Sequence, residues 1–337
     1  MLRHYNIPVF LPELACPHRC VFCNQSSISS TYHIPSVAEV TAIIEKHSNS
    51  FKASDKHVEL AFFGGNFTGL PQQMQLEYLN HVQPWLKSGQ IQGIRLSTRP
   101  DYISSAQITW LKDFGVTHIE LGAQSTDNEV LQKSGRGHKR DAIEKASAII
   151  NDAGLVLGLQ MMVGLPGDSA EKAITTAKDI ISFGAKETRI YPCLVIQNTA
   201  LERLFLSGKY KPLSIEEAAD QAVSLYAIFE NAKLKVLRIG LHTSDDLNGS
   251  ALVAGPYHPN FAEIVFGKIW LSAFETYDQW PESEAIVVKT AASQLNHAVG
   301  FEGSNKKWLL KRFKTVKFMP DSSLCGRQFI IQKLKLC

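Results

Sequence analysis

Cys16-Pro17-His18-Arg19-Cys20-Val21-Phe22-Cys23 is the stretch that decides how this chain folds. It follows the apolar run Ile7–Leu11, which predicts a first β-strand. The spacing C-x3-C-x2-C places three thiols on one tight loop. Thiolates suit iron–sulfur chemistry, and three of them would hold three irons of a [4Fe–4S] cluster and leave the fourth iron open. The motif therefore predicts Cys16, Cys20 and Cys23 as cluster ligands.

A zinc site is the alternative for the same loop, with His18 or His33 as the fourth ligand. Structural zinc sites commonly use paired C-x2-C units or a second ligand pair further along the chain, and no such pair is evident here. Cys193, Cys325 and Cys337 lie far apart and lack ligand spacing. A clustered trio also does not resemble an extracellular disulfide framework.

The bulk composition indicates a globular protein, with 45% hydrophobic and 20% charged residues. The N-terminal residues form a poor signal peptide and contain no apolar run of about 18 residues, so we expect a cytoplasmic protein without membrane contact. The net charge of +3 is mild, but nine basic residues and only two acidic ones follow Gly300. That excess fits either a solvated helix face or a nucleic-acid surface.

Strand-like and helix-like segments alternate over the first ~240 residues, which predicts parallel βα units. The predicted strands are Ile7–Leu11, Val58–Phe63, Gly93–Thr98, His118–Gly122, Val156–Val163 and Thr188–Tyr191, with Val236–Ile239 as a candidate seventh. Six units fit an open, partial (β/α)6 barrel better than a doubly wound sheet. In either fold the active groups belong at the carboxyl ends of the strands.

The rhythm changes after Asn248, and we predict an α/β barrel over residues 1–245 and a small α+β domain over residues 246–337. In that second domain, Gly300-Phe301-Glu302-Gly303 lies between two predicted helices that are flanked by strands. The outline resembles a KH domain, in which such a turn clamps a nucleotide backbone. A plain helix–turn–helix packing unit is the alternative, and Glu302 would oppose a phosphate.

The cysteine loop, with aromatic Phe22 before the third cysteine, resembles the radical S-adenosylmethionine (SAM) superfamily. The resemblance implies that a [4Fe–4S] cluster binds SAM and cleaves it to a 5′-deoxyadenosyl radical. It also implies that the backbone of Gly64, Gly65 and Asn66 binds the methionyl ammonium. Asn66 stands where the superfamily usually has glutamate.

Further SAM contacts follow from the same resemblance, most of them at the ends of predicted strands. Arg99 is a candidate for the ribose or the carboxylate, and Glu120 and Gln124 are candidates for the ribose. Arg136 resembles the superfamily arginine that pairs with the SAM carboxylate. The candidates for the adenine are Met162, Gly164, Ile190 and Tyr191.

Within the superfamily, Arg189–Thr199 and Gly208–Pro212 resemble the catalytic subunit of the Elongator complex, over roughly residues 5–265. That family modifies the wobble uridine of tRNA, so the resemblance implies tRNA as substrate and an electron donor such as flavodoxin or ferredoxin. We expect these residues to supply the radical half without the family's acetyltransferase domain. A radical SAM enzyme acting on a small molecule such as a porphyrinogen, and a non-enzymatic zinc and RNA-binding protein, remain the alternatives.

Overall fold

The fold is taken from a computed structural model that describes residues 3–11, 16, 20–24, 33–51, 56–242, 245–249 and 251–334. His18, one proposed zinc ligand, lies outside the described residues. The chain divides into two compact units, one formed by Met1–Ser214 with Leu225–Tyr257 and the other by Ile215–Ser224 with His258–Cys337. The boundary at residues 245 and 246 stays a prediction.

The first unit is built on a curled parallel sheet of seven strands, in the order β1-β2-β3-β4-β5-β6-β8. These strands are β1 (Arg3–Leu11), β2 (Lys56–Gly64), β3 (Gly93–Thr98), β4 (Val116–Gln124), β5 (Val156–Val163), β6 (Glu187–Pro192) and β8 (Lys235–Ile239). A short pair, β7 (Val195–Ile196) and β9 (Leu252–Ala254), lies apart from this sheet. The predicted partial barrel is confirmed, and the candidate seventh strand extends its edge.

Helices connect the strands because parallel neighbours need a crossover. They are α1 (Val37–Ser50), α2 (Gln72–His81), α3 (Gln83–Lys87), α4 (Ser105–Asp113), α5 (Asn128–Lys133), α6 (Arg140–Asp152), α7 (Ala170–Ser182), α8 (Ala200–Leu206), α9 (Ile215–Asn231) and α10 (Asp245–Asn248). The start of α1 shows how locally these elements are encoded. The Ser36 hydroxyl accepts from the Glu39 amide at 3.3 Å, and the Glu39 carboxylate accepts from the Ser36 amide at 2.8 Å. This is a complete capping box.

Alternation along each strand separates the barrel interior from the layer facing the helices. On β6, Arg189 and Tyr191 point into the barrel, whereas Ile190 between them is fully buried on the other face. On β5, Gln160 and Met162 face the interior in the same way, with Met161 fully buried between them. The interior face therefore carries polar and charged side chains, and the outer face is apolar.

The second unit contains a three-stranded sheet in the order β11-β10-β12, in which β10 runs parallel to β11 and antiparallel to β12. Its elements are α11 (Phe261–Glu275), β10 (Ala285–Thr290), α12 (Leu295–Val299), α13 (Ser304–Leu309), β11 (Thr315–Pro320) and β12 (Phe329–Lys333). The core of this unit includes Trp270, Phe274, Ile286 and Leu309. The arrangement matches the α+β pattern expected from the sequence.

Among the residues that the structure describes, no helix is both long and apolar enough to cross a membrane.

Candidate active site

A cavity with a volume of about 570 Å³ lies at the carboxyl ends of the barrel strands. It is lined by Phe10, Cys16, Cys20, Phe22, Cys23, Phe63, Gly64, Gly65, Ser97, Thr98, Arg99, Gly122, Gln124, Arg136, Gln160, Met162, Arg189, Tyr191, Leu241 and His242. Its size falls within the range of pockets that enclose small molecules and cofactors.

All three motif cysteines line this cavity. Their loop is held by main-chain hydrogen bonds to neighbouring segments: the Val21 amide donates to the Ser134 carbonyl at 3.0 Å, and the Val21 carbonyl accepts from the Leu201 amide at 2.7 Å. The Cys23 amide donates to the Cys20 carbonyl at 3.0 Å, which closes a tight turn between two of the thiols. The spacing of the motif thus brings its sulfur atoms to one wall.

The three thiols are spaced more widely than the sulfur ligands of a single tetrahedral metal ion. Tetrahedral zinc with Zn–S bonds of about 2.3 Å brings its sulfur ligands within about 4 Å of one another. Among the described residues, Cys16, Cys20 and Cys23 do not form a group of ligand atoms within 4.8 Å, whereas His4, His57 and Glu59 do. In a [4Fe–4S] cluster each thiolate binds a different iron, so wider spacing is what that cluster requires.

Unpartnered polar atoms collect on the wall of the same cavity. Nine buried side-chain nitrogen or oxygen atoms lack a hydrogen-bond partner in the described part of the chain. Four of the nine belong to side chains that line this cavity: Ser97 Oγ, Arg99 Nη1, Gln124 Oε1 and Arg136 Nε. A buried polar group without a partner costs about 1–3 kcal/mol, so this concentration is the expected signature of a site that a polar ligand completes.

Arg136 connects the cysteine loop to the end of β4. Its Nη1 lies 3.2 Å from Cys20 Sγ, and its Nη2 donates to the Gly122 carbonyl. Gly122 has no side chain for a steric reason, because a Cβ there would lie 2.9 Å from Gln124 Nε2 and 3.3 Å from Arg136 Nη2. Gln124 itself has a φ of 66°, a left-handed conformation that costs energy for a residue with a side chain. The end of β4 is therefore shaped around these two side chains.

Arg99 is held at the end of β3 by the carboxylate two residues further on. Its Nε and Nη2 donate to the two oxygens of Asp101, each at 2.9 Å, and Nη2 also donates to the Arg136 carbonyl. This bidentate pairing fixes the guanidinium plane and leaves Nη1 without a partner. Three arginines (Arg99, Arg136 and Arg189) line the cavity, and no carboxylate does so among the described residues. These guanidinium groups suit an anionic cluster and a ligand carboxylate.

The Gly64–Gly65 turn lies on the cavity wall as predicted, but the Asn66 side chain points away from it. Asn66 is 1% exposed, and its Oδ1 accepts from Thr98 Oγ1 at 2.5 Å and from the Arg99 amide at 3.3 Å. The side chain thus joins the ends of β2 and β3. A glutamate is not needed for that role, because an amide oxygen is sufficient as the acceptor.

Glu120 lies below the cavity, in a buried network of charges. Its carboxylate accepts from Arg189 Nε at 2.6 Å and from Arg95 Nη1 at 2.9 Å. Arg95 also contacts Glu59 at 3.0 Å and Glu187 at 2.6 Å. Despite the burial, these arginines hold the pKa of Glu120 below its ordinary value. Gly158 on β5 makes room for the network, because a Cβ there would lie 3.0 Å from Glu120 Cγ.

The structure thus gathers most of the predicted site residues and places four elsewhere. Asn66, Glu120, Gly164 and Ile190 do not line the cysteine cavity. Gly164 lines a separate cavity of about 530 Å³ that includes Asp168, Lys209 and Tyr210. Their contacts with SAM stay predictions.

Sequence reasoning did not assign a SAM contact to several side chains that line the cavity, namely Phe10, Ser97, Gln160, Arg189, Leu241 and His242. The strand alternation that places Gln160 beside Met162, and Arg189 beside Tyr191, was the signal that could have found two of them. The Arg189 guanidinium also lies 5.1 Å from the ring centroid of Phe63.

Family models match two consecutive parts of the chain: the radical SAM superfamily over residues 14–180 and the radical SAM C-terminal domain over residues 185–270. The chain therefore belongs to the radical SAM superfamily of enzymes.

Among curated proteins, the chain is similar to the tRNA uridine(34) acetyltransferase of Methanocaldococcus infernus, with 26% identity over 300 residues, 77% of this chain and 55% of the relative. Elongator complex protein 3 of Saccharomyces cerevisiae is 28% identical over 191 residues, 51% of this chain and 34% of the relative. The chain thus spans about half or less of these relatives.

Among solved structures, the archaeal Methanocaldococcus infernus Elp3 with an N-terminal deletion superimposes with a TM-score of 0.65 at 24% identity, covering 81% of this chain and 64% of that one. This likeness supports the fold.

Proposed function

We propose that the chain binds a [4Fe–4S] cluster through Cys16, Cys20 and Cys23 and uses it to cleave SAM reductively. The observation that carries this proposal is the single cavity wall on which three thiols adjoin four side chains with unpartnered polar atoms. When bound, the cluster supplies the electron that splits the sulfonium and gives the 5′-deoxyadenosyl radical. An electron-donor protein such as flavodoxin or ferredoxin would deliver that electron.

The chain's own residues would hold SAM at its methionyl and ribose ends. Arg136 and Arg99 offer unpartnered guanidinium nitrogens to the methionyl carboxylate, and pairing of guanidinium with carboxylate is strong and directional. The backbone of Gly64 and Gly65 binds the ammonium. Gln124 binds the ribose hydroxyls through its unpartnered Oε1.

The remaining wall of the cavity is available to the substrate. Gln160, Arg189 and Tyr191 supply polar groups there, and Phe10 and His242 supply flat rings 6.4 Å apart. Flat rings with nearby hydrogen-bond donors suit a nucleobase with carbonyl groups. Together with the similarity to tRNA uridine(34) acetyltransferases, this supports the wobble uridine of tRNA as the substrate.

Anaerobic reconstitution tests the chemistry. The wild-type protein is incubated with iron, sulfide, SAM and dithionite, and 5′-deoxyadenosine is measured. Cys20→Ser should abolish product, whereas Cys325→Ser should not, because Cys325 is exposed and lies in the other unit. Equal product from both variants would contradict the assignment.

The substrate is tested in the organism that carries the gene. Deletion followed by mass spectrometry of tRNA nucleosides should reveal loss of a modified wobble uridine. Restoration by the wild-type gene but not by the Cys20→Ser gene would tie the loss to the cluster. An unchanged nucleoside profile in cells that express the protein would overturn the tRNA assignment while leaving SAM cleavage intact.

A further inference from the structure

The second unit carries a cluster of aromatic rings that reaches its surface. The half-buried rings of Trp280 and Trp308 lie 6.5 Å apart, and Trp280 packs against Phe313 at 5.5 Å and edge-on against Tyr277 at 5.1 Å. Both tryptophans rest on the apolar core of the unit. This support fixes the rings while leaving part of each accessible.

An arginine lies over this cluster. The Arg312 guanidinium lies 4.8 Å from the ring centroid of Trp280, and the side chain is exposed. Within the described ranges it forms no ion pair or hydrogen bond through its side chain. Its donors are therefore open to a ligand, and the guanidinium also lies 5.5 Å from the ring centroid of Phe313. An exposed guanidinium supported by aromatic rings is a group on which a base can stack.

Positive charge without carboxylate partners lies in the same segment as Trp308 and Arg312. Lys306, Lys307 and Lys311 are exposed, and in the described part of the chain none of them pairs with a carboxylate. Lys268 of this unit is paired with Glu216 and Asp220, and Lys314 with Glu284 at 2.8 Å, whereas Lys317 and Lys333 are exposed without such a pair among the described residues. Three of the unpaired lysines and Arg312 lie within residues 306–312, the segment that contains Trp308.

The Gly300–Gly303 turn is less suited to hold a nucleotide backbone. Gly300 is buried, and a Cβ on Gly267 of α11 would lie 3.4 Å from Gly300 Cα and from the Phe301 amide nitrogen. Asn305 behind the turn is 1% exposed and donates to the Gly267 carbonyl at 2.8 Å. The turn is packed against a helix, and its exposed residue, Glu302, is acidic.

We infer that Trp280, Trp308, Arg312, Lys307 and Lys311 form a binding surface for single-stranded RNA. A base stacks on the exposed guanidinium of Arg312 beside Trp280, and the two lysines contact the flanking phosphates. Stacking platforms combined with cationic side chains are how single strands are bound without sequence readout. The inference rests on the proposed tRNA substrate and adds a second contact outside the SAM cavity.

The test uses the full chain with its cluster. Fluorescence anisotropy measures the affinity for unmodified tRNA and for a short single-stranded oligouridylate. Lys307→Glu with Lys311→Glu should weaken both affinities about tenfold or more, and should reduce the slope of log affinity against log salt by about 1.4. Lys46→Glu with Lys178→Glu makes the same charge change on exposed residues of the first unit and should have little effect.

Arg312→Lys separates stacking from charge. The substitution keeps the positive charge but removes the flat guanidinium, so we expect affinity for the oligouridylate to fall about tenfold, close to the loss in Arg312→Ala. A binding curve for Arg312→Lys that matches the wild type would overturn the stacking contact. Circular dichroism checks that each variant is folded. If Arg312→Ala does not fold, the conservative Arg312→Lys variant still tests the stacking contact.

The outcomes distinguish this inference from the proposed function. If the double glutamate variant binds tRNA as tightly as the wild type, the RNA surface is wrong and the radical SAM assignment stands. If the wild type cleaves SAM but binds neither tRNA nor oligouridylate, the tRNA substrate and the surface both fail.

Discussion

The barrel interior has two levels, one at the cavity and one below it. Both contain buried arginines, but their hydrogen bonds are complete only in the lower level. In the lower level, Arg95, Glu120 and Arg189 satisfy one another in a buried network. In the upper level, Arg99 and Arg136 each keep a buried nitrogen without a partner. A folded protein tolerates such unsatisfied groups where a ligand completes them. The difference teaches that hydrogen-bond satisfaction, rather than residue type or burial, distinguishes Arg99 and Arg136 from the charge network below them.

The largest expected effect comes from the cysteines of the upper level. Cys20→Ser removes one of the three proposed cluster ligands, so we expect SAM cleavage to fall to background and bound iron to be largely lost. Iron analysis and 5′-deoxyadenosine formation measure this. Cys193→Ser offers a second control, since burial raises the pKa of that thiol to about 12 and makes it a poor metal ligand. Full activity in Cys20→Ser would mean that the site lies elsewhere.

The next effect tests the lower level. Glu120→Gln removes the buried counter-charge of Arg189 and one of the three carboxylates around Arg95, so the free energy of unfolding should fall by about 3–5 kcal/mol. Affinity of the folded protein for SAM should change less than threefold. Denaturant titration and isothermal calorimetry measure the two quantities. A stable variant with a tenfold loss of SAM affinity would instead restore Glu120 as a ribose contact.

The third effect concerns Arg136 in the upper level, where we expect SAM affinity rather than stability to change most. Arg136→Ala should weaken SAM binding by about 1.5–3 kcal/mol, because it removes a charged hydrogen-bond donor to the carboxylate. Arg140→Ala is the matched control, since that arginine is paired with Asp179 on the helix layer. Iron content is measured alongside, because Arg136 also contacts Cys20. Unchanged SAM affinity with normal iron would remove Arg136 from the SAM site.

The smallest effect concerns a carboxyl group beside the second cavity. Burial raises the pKa of Asp168 to about 6, although the amides of Ser169 and Gly164 oppose the shift. Because the folded pKa is above the unfolded value of 3.8, its contribution to stability is complete below pH 3.8 and is lost as pH rises through 6. Between pH 4 and pH 8 the stability of the wild type relative to Asp168→Asn should fall by about 1–2 kcal/mol, after allowing for solvent screening. A constant difference across that range would contradict the raised pKa.

Sequence patterns predicted the scaffold well because its signals are local. The strands Gly93–Thr98 and Val156–Val163 match their predicted bounds, and the Ser36 capping box is present. The residues that line the cavity were harder to predict, because the sequence carries no local signal for how far along a strand the cavity begins. Glu120 and Gly122 share one face of β4 but lie about 7 Å apart along it, and only Gly122 reaches the cavity.

Contacts between distant segments were also invisible in the sequence. Nothing near Arg189 indicates that its partner is Glu120, 69 residues away. The segment after Pro71 forms two helices in the structure, Gln72–His81 and Gln83–Lys87. A continuous apolar pattern does not specify such a break.

The most direct measurement is electron paramagnetic resonance of the anaerobically reconstituted, reduced protein with and without SAM. Three thiolates on a wall of unpartnered polar groups predict iron and sulfide in [4Fe–4S] proportions and a signal whose g-values move when SAM is added. Zinc in place of iron, or a cluster signal that saturating SAM leaves unchanged, would contradict the account.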